Sequence, residues 1–258
     1  MSQRLFRPPA ALLALAAASA AALAALPAHA GEVAVAVAAN FAVPLQRIGA
    51  GFTAATGHTL KVSAGATGKF HSQIVAGAPF EVLLAADDET PRRLVAEGHA
   101  VAASLFTYAI GRLVLWSAQP GFVDDRGAVL ASGRFARLAI ANPKTAPYGA
   151  AALAVLEARG LTEAVKPRLV TAESIAQAFQ FVSTGNAELG FVALSQVAVP
   201  GKPATGSSWV VPKNLYGEIR QGAVLLKAGE KNPAAAALLA YLKGAAAKDV
   251  IKSFGYGS

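Results

Sequence analysis

The sequence predicts an α/β protein of two similarly built units, each a mainly parallel sheet flanked by helices. Three observations carry this expectation. Short apolar, β-branched runs alternate with stretches of helical period; Gly57, Gly77 and Pro79 close helical stretches; and the alternation restarts after a long apolar run at Tyr108–Ser117. At 258 residues the chain has room for two lobes of roughly 100 residues each. With 54% hydrophobic and only 15% charged residues, intrinsic disorder is excluded.

The first thirty residues read as a cleavable export signal. Arg4 and Arg7 form a basic start, Ala10–Leu26 is an Ala/Leu run broken only by Ser19, and Ala28-His29-Ala30 gives a small-x-small site before Gly31. The run is short and weakly hydrophobic for a membrane span, which needs about 20 apolar residues. A soluble exported product is expected, and with no cysteine it carries no disulfide or thiolate site.

In the first unit, Glu32–Ala38 (EVAVAVA) reads as a buried strand. Leu45, Ile48 and Phe52 then share one helical face, with Pro44 near the start and Gly57 at the end. Thr59–Ser63 is the second strand, Gly65-Ala-Thr-Gly68 a turn, Phe70–Val75 a helix and Phe80–Ala85 the third strand. Asp87 and Asp88 open a helix over Glu89–Glu97, with Asp88 as its cap. Tyr108–Ser117 reads as one long strand bent at Gly111.

In the second unit, strands are expected at Leu138–Ala141, Leu169–Val170, Leu189–Val192 and Ser208–Val211, with helices at Ala150–Arg159 and Glu173–Ser183. Ile219–Leu226 and the alanine-rich helix Pro233–Lys243 are too little for a third domain, so they are expected to return to the first lobe. The lobes are thus 31–111 plus 217–258, and 112–216.

Catalytic motifs are sparse. Gly65–Phe70 departs twice from a P-loop, because Ser63 stands at the first glycine position and Phe70 follows Lys69. No GxSxG elbow occurs, and His58, His71 and His99 lack metal-ligand spacing. Basic residues do not cluster with aromatics despite a formal charge of +8, which argues against a nucleic-acid groove. What remains is a set of residues at strand-to-helix junctions: Asn40, Thr67, Tyr148 in Pro147-Tyr-Gly149, and Ile175. Helix starts offer unpaired N–H groups and a positive dipole end, which suit an anion, and open α/β sheets bind ligands beyond the carboxyl ends of their strands. Ordinary capping and turn chemistry explains the same residues and, from the residues alone, is the favoured reading.

Several segments carry a resemblance that goes further: VAVAANF (Val35–Phe41), GATGKFHSQIVAGAPFEVLLAAD (Gly65–Asp87), NPKTAPYG (Asn142–Gly149), AESIAQAF (Ala172–Phe179), AELGFVALS (Ala187–Ser195) and LLAYLKG (Leu238–Gly244). Together they make the chain similar to the periplasmic molybdate-binding proteins of ABC importers, which have the two-lobed type II binding-protein fold. The resemblance implies a monomer in the periplasm, without cofactor, metal or catalysis, that holds molybdate or tungstate between its lobes and delivers it to a membrane permease. It implies an anion held by neutral hydrogen bonds from Asn40, Thr67, Tyr148 and the backbone N–H of Ile175. Ala39 lacks a hydroxyl that some relatives carry, and Ala193 stands where some have a ligand tyrosine. Another anion on the same fold, such as sulfate, phosphate or a small organic acid, is the alternative. An exported hydrolase would need a nucleophile-base pair, and none is visible.

Overall fold

The computed structural model describes residues 30–202 and 204–257. The expected export signal, up to residue 29, lies outside the described residues. Gly31–Ser258 forms one compact unit containing two five-stranded sheets.

The first stretch runs β1 (Glu32–Ala38), a 3-10 turn (Ala39–Phe41), α1 (Ala42–Thr56), β2 (Thr59–Gly65), α2 (Thr67–Val75), β3 (Val82–Leu84), α3 (Glu89–Ala96) and β4 (Phe106–Gly111). The second runs β5 (Leu113–Ser117), α4 (Val129–Ser132), β6 (Leu138–Ala141), α5 (Pro147–Ala158), α6 (Thr162–Val165), β7 (Leu169–Ala172), α7 (Ile175–Ser183), β8 (Leu189–Ala193), α8 (Leu194–Val197) and β9 (Ser207–Val210). The chain closes with β10 (Ile219–Leu225), α9 (Pro233–Lys243) and α10 (Ala245–Ser253).

The strand orders are β2-β1-β3-β10-β4 and β7-β6-β8-β5-β9. In the first sheet β1 lies parallel to β2 and β3, with Val35 opposite both Val62 and Val82, while β10 runs antiparallel to β3 and β4. In the second, β6 is parallel to β7 and β8, and β5 is antiparallel to β8 and β9. Each sheet is therefore mainly parallel with one reversed strand.

The pattern of apolar residues explains the packing. Leu45, Ile48 and Phe52 recur along one face of α1 and are all buried, and Gly57 ends the helix in the left-handed conformation at φ 75°. They share a core with Phe41, Leu238 and Phe254, so the C-terminal helices seal the first sheet. Fully burying each such side chain contributes about 1.5–3 kcal/mol. The start of α9 is fixed by Asn232, whose Oδ1 accepts the Ala234 N–H at 3.0 Å while Nδ2 donates to Glu32 O at 2.8 Å and Glu81 Oε1 at 2.9 Å. One side chain thus ties the last helices to β1.

Several expectations require correction. Tyr108–Ser117 is not one strand: it divides at Arg112 into β4 and β5, which belong to different sheets. Thr67 and Tyr148 do not precede their helices but lie in the first turns, because α2 starts at Thr67 and α5 at Pro147, a favoured first helical residue. A second terminal helix, α10, follows α9 after Gly244. Asp88 makes no capping hydrogen bond. Asp87 does that work, accepting from Thr90 N at 2.7 Å and Thr90 Oγ1 at 3.2 Å, while Asp88 pairs with Arg92 at 2.5 Å and lies 3.7 Å from Arg220. No helix among the described residues is long and apolar enough to cross a membrane.

Candidate functional site

The carboxyl ends of β1, β2 and β3 face the starts of α5 and α7. Ala38, Ala66 and Ala86 from the first side pack in one buried cluster with Ala146, Tyr148 and Ile175 from the second. The main chains meet there: Gly68 N donates to Thr145 O at 2.9 Å, and a Cβ on Gly68 would lie 3.0 Å from Thr145 Cα. The surface carries a further link, an ion pair between Lys69 on α2 and Glu173 just before α7.

All four sequence-selected residues lie at this seam and are buried: Asn40, Thr67, Tyr148 and Ile175. Their hydrogen-bonding states differ. Thr67 Oγ1 accepts the Ala86 N–H at 2.9 Å, so its own proton remains to be donated. Tyr148 OH accepts from Gln221 Nε2 at 3.1 Å, with the same consequence. Burial raises the Tyr148 phenol well above its usual value, with Tyr256 and Tyr108 adding to the effect, so the group stays protonated at physiological pH. At α7, Ser174 caps only the Gln177 N–H, at 3.3 Å; Ile175 is the first helical residue, whose N–H has no intrahelical partner.

Asn40 departs from expectation. Both protons of its side-chain amide are already used, one on Gln221 Oε1 at 3.1 Å and one on Tyr256 OH at 2.9 Å. Its Oδ1 is buried without a partner among the described residues, as is Thr145 Oγ1. The donor Asn40 can offer is therefore its backbone N–H, in the 3-10 turn after β1.

Sequence reasoning missed the supporting residues. Gln221 on β10 accepts from Tyr108 OH at 2.9 Å as well as from Asn40, and Ser195 Oγ and Tyr256 OH each donate to the Asn40 carbonyl at 2.9 Å. A signal for Gln221 did exist: it is a lone amide before Gly222 in an otherwise apolar strand core, and glycine in a strand marks irregular pairing. Nothing in the sequence marks Tyr256.

Among the described residues no charged side chain is buried, and the buried polar ones are Asn40, Thr67, Ser117, Ser195 and Gln221. The ionised groups lie on the rim, where a surface groove is lined by Asp87, Asp88, Arg93, Lys144, Glu218 and Arg220. The described residues contain no cluster of three metal-ligating side chains. His58 instead accepts the Gly31 N–H at 3.0 Å, and His71 bonds Glu97 at 2.8 Å. The buried site can thus offer hydroxyl and peptide N–H donors to an anion, and it holds neither a nucleophile-base pair nor a metal cluster among the described residues.

Residues 33–257 match the family of bacterial extracellular solute-binding proteins. The chain is 62% identical over 235 residues to the molybdate-binding protein ModA of Azotobacter vinelandii, covering 91% of this chain and 93% of the relative. It is 55% identical over 232 residues to the molybdate-binding protein ModA of Rhodobacter capsulatus, covering 90% of each. A solved periplasmic molybdate-binding protein of Azotobacter vinelandii superposes with a TM-score of 0.85 at 41% identity, over 88% of this chain and 99% of that one. The two mainly parallel sheets and the match across nearly the whole described chain lead to one assignment: this chain belongs to the bacterial extracellular solute-binding protein family and has the type II binding-protein fold.

Proposed function

We propose that the protein captures molybdate, and tungstate with it, in the periplasm and delivers it to the permease of an ABC importer. The observation that carries this reading is the state of the two buried hydroxyls. Thr67 Oγ1 and Tyr148 OH, from opposite sides of the seam, each accept a hydrogen bond from the protein and keep a proton to give away. A fully deprotonated tetrahedral oxyanion has only acceptors and matches such donors. The backbone N–H groups of Asn40 and Ile175 complete the set, while the Asn40 side chain braces the wall. Charge-assisted bonds contribute a net of roughly 1.5–3 kcal/mol each, so a handful hold a dianion without lysine or arginine. Neutral donors at fixed positions favour the anion whose size lets every bond close together. The high identity to molybdate-binding relatives favours molybdate over sulfate or phosphate.

In this reading residues 1–30 are removed on export and the product works as a monomer without cofactor, metal or catalysis. One lobe combines 31–111 with 217–258, and the other is 112–216. The strand orders support that division, since β10 joins the first sheet and the chain passes between sheets at Arg112 and again after β9. Calorimetric titration with molybdate, tungstate, sulfate and phosphate tests the assignment. One molybdate or tungstate per chain, bound far more tightly than sulfate, is the expected result. Sulfate bound as tightly as molybdate would overturn it.

A further inference from the structure

We propose that Gln221 is a positioning residue that directs the Tyr148 hydroxyl proton toward the anion. This rests on the reading that Tyr148 is a donor to that anion, and extends it to a residue that makes no contact with the ligand.

Gln221 is completely buried on β10, the strand that returns the chain to the first sheet. Pairing with β4 shifts register between Gln221 and Gly222, and such irregularities re-aim side chains. The amide sits between the two sheets and bonds to both sides. Its Oε1 accepts from Asn40 Nδ2 at 3.1 Å and Tyr108 OH at 2.9 Å, and its Nε2 donates to Tyr148 OH at 3.1 Å. The Asn40 donor on the oxygen fixes which end of the amide faces which neighbour, while the single Tyr108 proton is shared between this oxygen at 2.9 Å and Ala85 O at 3.0 Å. Asn40 is fixed in turn by donating its second proton to Tyr256.

The consequence falls on Tyr148. A phenol has one proton, and a neighbour that donates to its oxygen cannot also receive that proton. With Nε2 facing it, the hydroxyl must give its proton elsewhere. Hydrogen bonds in series also polarise one another, so a phenol that accepts on one side donates more strongly on the other. Gly111 leaves room for this contact: a Cβ there would meet the Tyr148 hydroxyl and lie 2.9 Å from Gln221 Nε2.

A double-mutant cycle on molybdate affinity tests the inference, using Tyr148→Phe, Gln221→Met and the double variant, with unliganded thermal midpoints recorded for each. Methionine keeps an unbranched chain of similar length and removes the amide. Gln221→Met should weaken binding about tenfold in the parent protein. In the Tyr148→Phe background the same change should shift affinity by less than about twofold, because no proton is left to direct. Equal losses in both backgrounds, or no loss in the parent, would overturn the role of Gln221 while leaving Tyr148 as a donor. Unchanged affinity in Tyr148→Phe alone would instead remove the reading on which the role rests. Should Gln221→Met fail to fold, Tyr108→Phe serves in the cycle, since it removes the hydroxyl that stands 2.9 Å from the amide oxygen. Its loss should likewise vanish without the Tyr148 hydroxyl, and a loss that persists counts against the proposal.

Discussion

The two sheets are topological copies that carry different groups beyond matched strand ends. β1 and β6 hold the same place in their sheets, as do β2 and β7, β3 and β8, and β10 and β5. Asn40 and Tyr148 follow one matched pair of strands, and Thr67 and Ile175 follow the other. Yet the first pair sets a peptide N–H against a phenol, and the second a hydroxyl against a peptide N–H. Position beyond a strand end is conferred by the fold, while the type of donor is free to vary residue by residue. The third matched junction differs too. Before α3 the cap is a carboxylate, Asp87, whereas at α8 the neutral Gln196 Oε1 accepts the Ala193 N–H at 2.9 Å.

The sharpest test of this difference sets side chain against backbone on the second side. Tyr148→Phe should weaken molybdate binding by about 1–3 kcal/mol, measured by calorimetry. Ile175→Pro should cost a similar amount of about 1–3 kcal/mol, because proline removes the N–H at a first helical position that tolerates it, after an extended Ser174 at ψ 168°. Ile175→Val keeps the N–H and should change affinity by less than about 0.5 kcal/mol. A large loss in Ile175→Val with none in Ile175→Pro would break the comparison.

In the proposed site the first side offers the Thr67 hydroxyl beside the Asn40 peptide N–H, so Thr67→Val should weaken binding by about 1–2 kcal/mol. Its thermal midpoint without ligand should also drop, since the Ala86 N–H loses its acceptor.

A smaller effect separates the two caps by pH. Burial raises the Asp87 carboxyl above its ordinary 3.8 despite the opposing bonds from Thr90. The folded protein then holds that proton more strongly than the unfolded chain. Its contribution is therefore favourable at low pH and is lost as pH rises through the interval above 3.8. Asp87→Asn should flatten this part of the stability-pH profile, measured by thermal unfolding across that interval. The second side, capped by an amide, has no counterpart.

The smallest effect is expected at the surface link. Both Lys69 and Glu173 are more than half exposed, so Lys69→Ala should alter affinity by no more than about 0.5 kcal/mol, and less at high salt.

The strands and most helices were legible because each declares itself locally, as EVAVAVA or the spacing of Leu45, Ile48 and Phe52 does. The division at Arg112 was not. The run from Phe106 to Ser117 is interrupted only at Gly111-Arg112, which reads equally as a bend within one strand, while the change of hydrogen-bonding partners across it leaves no local mark. The starts of α2 and α5 are hidden in the sequence because Thr67 and Tyr148 sit among glycine and proline, which mark turns and first helical turns alike. The site residues stood out through likeness to a family. Their support did not, since Asn40 meets Gln221 across 181 positions and Tyr256 across 216. Contacts of that separation leave no periodic trace.

The approach of Gly68 to Thr145 has a consequence for how such a protein can change cargo. Main chain meets main chain there, with no room for even a methyl group to intervene comfortably. The spacing between the two walls is therefore gauged by peptide planes rather than by the side chains that line them. Threonine can give way to serine, or a phenol to a backbone amide, without resetting the aperture. For the anion site proposed above, this makes aperture and donor chemistry two separate variables, the first tied to Gly68 and the second to the residues behind it.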